Sequence, residues 1–249
     1  MTNSHDSEKK IPDHDGILTE DYARERLKKP AHIFRLKVRA AMVSRLIRER
    51  LKSPDNLNIV DLGAAEGLTM LEMQNYLPSS DITGVEFSKE LIKSAPSFPD
   101  NLRLLQGDVT VLKDLLPPGK ADVVSALAIL EHLQSPDKAI EGAHYLLKDG
   151  GTFVATCPNP FWDKVACFFG LLKDGDHETD MTAQVMSDLL KKHGFKDVKF
   201  EKFMWAPTSF LPYLHIPIST EQSMRADSLF QNVPLANLLF VNQVIVGTR

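Results

Sequence analysis

Asn58-Ile-Val-Asp-Leu-Gly-Ala-Ala-Glu-Gly67 is the stretch whose reading decides the fold. Ile59 and Val60 begin a β-branched run that ends in an acid at Asp61, turns through Gly63 and reaches Gly67, where a helical pattern starts. A strand that breaks at glycine and re-enters as a helix exposes bare backbone N–H groups, because no side chain keeps a ligand away from them. A nucleotide-like ligand with an anionic group suits that turn.

Outward from this turn, strand and helix patterns alternate. Strands are expected near 58–63, 81–86, 101–106, 121–126, 151–157, 197–204 and 238–247, with helices near 67–77, 88–95, 135–148 and 183–193. Upstream, Leu36, Ala40, Val43, Ile47 and Leu51 recur at helical spacing, predicting a helix over 31–52. Arg35, Arg39, Arg45, Arg48 and Lys52 are assigned to its other face. Gly150-Gly151 and Gly194 are expected to stop helices. This order predicts an α/β fold: a Rossmann-like, seven-stranded, mostly parallel sheet with helices on both faces. The run from Asn237 follows another strand without an obvious helix, so it is expected to close the sheet as an antiparallel strand. One domain is expected over 31–249, with substrate-side insertions near 158–182 and 205–236 and a polar segment over 1–30.

Composition narrows the partners. The chain has 249 residues, 43% hydrophobic and 25% charged, which allows a sizeable core. Its net charge of −4 gives no global field for a polyanion, and no nucleic-acid partner is expected. The charge is uneven: residues 22–52 hold eleven Lys/Arg against Glu25 and Glu49, a local +9 that leaves −13 elsewhere. A weak peripheral membrane contact through this basic helix is one reading, and a solvated face is the simpler one. Two cysteines, Cys157 and Cys167, make no disulfide framework, and the polar start has no signal-peptide core. A cytoplasmic location follows as the expectation. No cluster has metal-ligand spacing, so no metal is expected. The oligomeric state is left open.

Open sheets of this kind bind ligands beyond the carboxyl ends of their strands. The first strand ends in the Asp61–Gly67 turn. The second ends at Glu86, about 20 residues beyond the turn, where a carboxylate can accept from ribose hydroxyls. The third ends at Asp108, which can accept from an exocyclic amine such as that of adenine. The fourth, through Ser125, opens into Ala126-Leu-Ala-Ile-Leu-Glu131-His132-Leu133.

These residues, with Leu146-Leu-Lys-Asp-Gly-Gly151, resemble the class I S-adenosylmethionine-dependent methyltransferases over about residues 55–200. Within that class the chain is most similar to small-molecule enzymes related to ubiquinone-biosynthesis O-methyltransferases, with Pro158-Asn-Pro160 and Lys191-Lys-His-Gly-Phe195 supporting the placement. The resemblance implies S-adenosylmethionine as cofactor. Gly63 and Gly67 would let the backbone approach its methionyl part, with Asp61 organising the loop. Glu86 would bind the ribose and Asp108 the adenine amine, with Phe87 and Val109 beside them and Ser125 and Ala126 near the sulfonium. Ala65 stands where many relatives have glycine, which is tolerable if its φ stays negative.

The implied function is methylation of a small, aromatic or lipid-like acceptor at oxygen. His132 would then be the leading general base, with Glu131 beside it or only ordering the loop. Helix capping or packing explains His132 equally well. His177 is expected to be a loop residue, although it lies where it could close over a substrate. Cys157 ends strand five as Ala-Thr-Cys-Pro, and a buried structural thiol is far the stronger reading than a nucleophile adding to a pyrimidine. No Asn-Pro-Pro-aromatic motif follows strand four, which argues against methylation of a base amine. Phe161–Leu172 and Phe203–Leu214 are apolar enough to wall a substrate pocket. Two other readings stand beside this one: an NAD-type Rossmann oxidoreductase, whose usual Gly-x-Gly-x-x-Gly is absent here, and a non-catalytic cofactor-binding protein.

Overall fold

The computed structural model describes residues 28–51, 53–162, 164 and 180–249. The chain runs α1 (Pro30–Arg50), β1 (Asn58–Leu62), α2 (Leu68–Tyr76), β2 (Asp81–Glu86), α3 (Lys89–Lys93), β3 (Leu102–Gln106), β4 (Ala121–Leu127), α4 (Pro136–Leu146) and β5 (Leu147–Pro158). It continues with α5 (Ala183–Lys192), β6 (Lys196–Trp205), α6 (Ala206–Ser209), α7 (Thr220–Phe230) and β7 (Phe240–Thr248). The seven strands lie in the order β3-β2-β1-β4-β5-β7-β6, and β7 is antiparallel to both its neighbours. The α/β class, the seven strands and the antiparallel closing strand are as the sequence predicts.

Alternation along the strands builds two cores. Val123 turns to one face and Val124 to the other. On the first face Val38, Val43 and Ile47 of α1 and Met70 and Met73 of α2 pack on Ile59, Ile82, Val154 and Val244. On the second, Ile140 and Leu146 of α4 and Met186 and Leu190 of α5 pack on Leu62, Val85, Phe153 and Ile245. Central strands buried on both faces need apolar residues at nearly every position, which is why β1, β4 and β5 read as runs.

The basic face of α1 is not simply solvated. Arg45 pairs with Glu201 of β6 at 2.6 Å and with Glu49 at 2.7 Å. Arg48 donates to the Tyr76 carbonyl, Arg50 donates to Thr248 Oγ1 at 2.9 Å, and Lys37 lies 3.9 Å from Glu72. These cations fasten the helix to α2 and the sheet edge. Arg39, assigned to the solvent face, is half-buried instead.

Two other expectations change. Gly150-Gly151 do not stop a helix: α4 ends at Leu146, because Leu147 is already extended at φ −67 and ψ 145. The glycines instead fill a bulge where the β4–β5 register jumps from Ala121↔Leu147 to Val123↔Thr152. Gly194 does close α5, at φ +83, with its N–H on the Lys191 carbonyl. The link between β6 and β7 is helical, contrary to expectation. Its only buried α7 residues are Ser223 and Asp227, so it shows no apolar stripe. Polar anchors hold it: Ser219 and Gln222 form a capping box, and Asp227 accepts the N–H groups of Met204 and Trp205 at 2.9 and 2.8 Å.

The polar segment up to residue 27, most of the 158–182 insertion, Cys167 and His177 lie outside the described residues. Among the described residues no helix is long and apolar enough to cross a membrane.

Gly84 sets how closely β2 approaches the turn after β1. A Cβ there would stand 2.5 Å from Ala64 Cβ, 2.6 Å from Met70 Sδ and 2.7 Å from Leu104 Cδ2. Gly84→Ala is expected to destabilise the fold by about 1–3 kcal/mol, read as a lower denaturant midpoint at unchanged slope.

Candidate active site

The order β3-β2-β1-β4 brings the four chemistry-bearing strand ends side by side. The turn after β1 is sewn to the end of β2: Gly63 and Ala64 donate to the Val85 carbonyl at 2.8 and 3.1 Å, and Gly67 donates to Ala64 at 2.9 Å. Gly63 and Gly67 have φ of +70 and +78. Ala65, between them, has φ +50, so the condition under which alanine would be tolerated without strain is not met. The left-handed conformation crowds its Cβ against the backbone, at a cost of roughly 1–2 kcal/mol. Packing against Leu91 is the methyl group's return for that strain.

Glu86, not Asp61, organises this loop. Its two carboxylate oxygens accept from the backbone N–H of Ala65 and of Ser88, both at 2.8 Å, and the residue is buried. Each oxygen keeps a second lone pair that can accept a ligand hydroxyl. Phe87, next in the chain, is 40% exposed. Asp108 Oδ1 takes both bonds offered by Thr110, from N–H at 2.7 Å and from the hydroxyl at 2.8 Å, which leaves Oδ2 for an incoming N–H donor. Val109 beside it is buried. No side chain caps the amino end of α2, whose N-cap is Gly67, so its first N–H groups suit an anionic group.

Asp61 is fully enclosed. It accepts from Ser125 Oγ at 2.6 Å, so the Ser125 hydroxyl is engaged with Asp61 and both residues are buried. Burial pushes the Asp61 carboxyl up from 3.8 to about 7; the Ser125 bond and the positive charge of Arg39 oppose that rise, and Glu86 adds to it. Arg39, which the sequence reading put on the other face of its helix, is half-buried, and its charge reaches Asp61. The signal was its place three residues after Leu36 and one before Ala40, within the turn that carries the apolar stripe.

Ala126 is buried within β4; beyond the strand Ala128 adopts φ +57, and a 3-10 helix spans Leu130–His132. Glu131 is buried and His132 half-buried, on the exit from the strand as expected. Cys157 is 1% exposed, with its sulfur against Met186 Sδ at 3.2 Å and Gln243 Nε2 at 3.4 Å, a packed structural position. Asn159 ties the exit of β5 to β7 by donating to the Phe240 carbonyl at 2.8 Å. The two aromatic segments do meet: the Trp162 and Phe210 rings lie 5.8 Å apart. Open cavities of about 550 and 500 Å³ lie elsewhere, one at the amino ends of β1 and β2 and one between α1, β6 and α7. Donor and acceptor groups, rather than cavity size, mark the site at the carboxyl ends.

The chain matches the family described as "Methyltransferase domain" over residues 34–199. A solved structure of a SAM-dependent methyltransferase from Thermotoga maritima superposes with a TM-score of 0.62 at 17% identity, covering 92% of this chain and 94% of that one. Phosphoethanolamine N-methyltransferase 2 of Haemonchus contortus, in complex with S-adenosyl-L-methionine, superposes with a TM-score of 0.58 at 12% identity, covering 82% of this chain and 51% of that one. Among curated proteins, an uncharacterized 37.1 kDa protein in a Streptomyces fradiae transposon is 27% identical over 110 residues. That match covers 43% of this chain and only 31% of that relative's length.

Two outcomes follow from the geometry. An acid whose folded pKa is raised makes the native state bind more protons than the unfolded chain, so stability falls as pH rises from 3.8 through about 7. Asp61→Asn should remove that slope, so its stability relative to the parent improves across this window in chemical denaturation. Ala65→Gly should relieve the left-handed strain and raise stability by up to about 1 kcal/mol, net of the lost Leu91 contact.

Proposed function

We propose, for a chain that belongs to the methyltransferase-domain family, that S-adenosylmethionine is the methyl donor and that a small acceptor with an aromatic or lipid-like body takes the methyl at oxygen. The observation that carries the donor is the triple arrangement at adjacent strand ends: Glu86 with free lone pairs, Asp108 with Oδ2 open, and the uncapped start of α2. These groups suit two ribose hydroxyls, an adenine amine and an amino-acid carboxylate. Phe87 and Val109 supply apolar surface for a flat ring, and Gly63, Ala65 and Gly67 let the backbone come close. Asp61 and Ser125 lie on one face of β1 and β4 near their carboxyl ends, where the donor's charged centre would rest, and Ala126 follows Ser125 on the opposite face. When bound, the donor supplies an electrophilic methyl on a sulfonium.

The chain's own contribution is alignment. In-line displacement gains most from holding nucleophile and donor in register. His132, at the exit of β4, is the group to take the acceptor hydroxyl's proton, and buried Glu131 precedes it on the same 3-10 turn. Trp162 and Phe210 supply an apolar wall for the acceptor body. The sheet also speaks against a dinucleotide carrier: after β5 the chain makes an antiparallel β6–β7 pair rather than a second mononucleotide-binding half.

Calorimetry tests the donor directly. S-adenosylmethionine should bind, NAD should not, and Glu86→Gln should weaken donor binding about tenfold or more by removing a charge-assisted acceptor. Tight NAD binding with no response to S-adenosylmethionine would sink the reading. For the acceptor, labelled-methyl transfer into a metabolite extract identifies the product. On that acceptor His132→Ala should lower turnover by roughly 10²–10⁴ and remove the pH dependence, with donor affinity unchanged. Unchanged turnover and pH profile would take His132 out of the mechanism.

A further inference from the structure

Three segments far apart in sequence come together on one outer face: the amino half of α1, the turn after β5, and the 206–216 stretch after β6. Tyr213 accepts from Arg35 Nη1 at 3.4 Å. From there the rings run Tyr213 to Phe210 at 5.9 Å, Phe210 to Trp162 at 5.8 Å, and Trp162 to Phe161 at 5.8 Å. Phe161 is 54% exposed, Leu214 68% and Ile216 47%, an open apolar surface rather than scattered single side chains.

Within these three segments the charge has one sign, although Lys37 lies 3.9 Å from Glu72 of α2 and Arg39 is half-buried. Residues 28–41, 158–162 and 205–220 contain Lys28, Lys29, Arg35, Lys37 and Arg39 and not one Asp or Glu. Arg45, Arg48 and Arg50, further along α1, are engaged with intrachain acceptors, whereas the Tyr213 phenol is the partner that Arg35 shows. Exposed aromatic and aliphatic side chains flanked by cations, with no acids among them, are complementary to the headgroup and acyl boundary of an anionic bilayer. A second copy fits less well, since a two-fold contact through this face would set cations against cations.

We propose that this face docks the protein on an anionic lipid surface. Phe161, Leu214 and Ile216 enter the interface while Arg35 and the lysines at the start of α1 meet the headgroups. The docking rests on no step of methyl transfer and needs neither donor nor acceptor, so its failure and that of the proposed function are read separately.

The test is co-sedimentation of the full chain with vesicles of phosphatidylglycerol and phosphatidylcholine, against phosphatidylcholine alone. Binding is expected to the anionic vesicles, to weaken with added salt, and to be much poorer to the neutral ones. Arg35→Gln should weaken it roughly fivefold. Leu214→Asp with Ile216→Asp should weaken it about tenfold or more, and both positions are exposed enough for the fold to persist by circular dichroism. No binding to anionic vesicles at low salt overturns the proposal, as does binding that ignores lipid charge or these substitutions. A dimer that the Leu214/Ile216 variant makes monomeric, without vesicle binding, would assign the face to a second copy and overturn it too.

Discussion

Everything at the carboxyl edge depends on where the Glu86 carboxylate sits. A carboxylate buried without partners is expensive, and here two backbone N–H groups satisfy it. One belongs to Ala65, in the turn after β1, and the other to Ser88, at the N-cap of α3. That single group therefore holds a turn with three left-handed residues against the end of a neighbouring strand. The strain at Ala65 persists because the Glu86 bond and the bonds from Gly63 and Ala64 to Val85 over-determine the loop. The same oxygens carry the lone pairs offered to a ligand. Order in the turn and readiness to bind are consequently one property.

α1 has a second role beside covering a face of the sheet. Its apolar stripe builds the core around Val43 and Ile47, and its distal cations lock onto Glu201, Tyr76 and Thr248. Arg39 from the same helix favours the ionised form of the buried Asp61. A helix packed along its length and fastened in its carboxyl half by Arg45, Arg48 and Arg50 holds that guanidinium in place. Burial and the Ser125 bond act more strongly on Asp61, and α1 adds a smaller counter-charge from an element that precedes the turn in the chain.

The legible part of this fold is the part governed by period. β1 and β2 are apolar runs with an acid at their ends, β4 is one that runs on past Ser125, and their ends fall within a residue of expectation. That Asp61, Glu86, Asp108 and Ser125 come to adjacent strand ends could be read because parallel topology forces those ends together. Local chemistry escaped where partners are distant. Which acid organises the turn depends on Ala65 and Ser88 reaching the Glu86 oxygens, a fact of three dimensions. α7 escaped because Ser223 and Asp227 are its buried face, although Ser219-x-x-Gln222 spelled a capping box. Gly150 misled because glycine serves a bulge as readily as a helix end.

Polar strand ends and exposed aromatic segments occupy different halves of the sheet. The groups suited to a nucleotide sit on β1 to β4, where βαβ crossovers dictate the geometry and little else can vary. After β5 that constraint relaxes: β7 inserts between β5 and β6, and the excursions around it carry Trp162, Phe210 and Tyr213. From Ser228 to Thr248 the chain has no charged residue at all. Such a stretch must be covered by its own core or by something apolar. β7 satisfies the first condition, being almost wholly buried. Leu229, Leu235 and Leu238 do not, at 72, 80 and 58% exposed. The β1 to β4 half therefore presents polar groups at its strand ends, while the half after β5 presents the surface least like that of an ordinary globular domain.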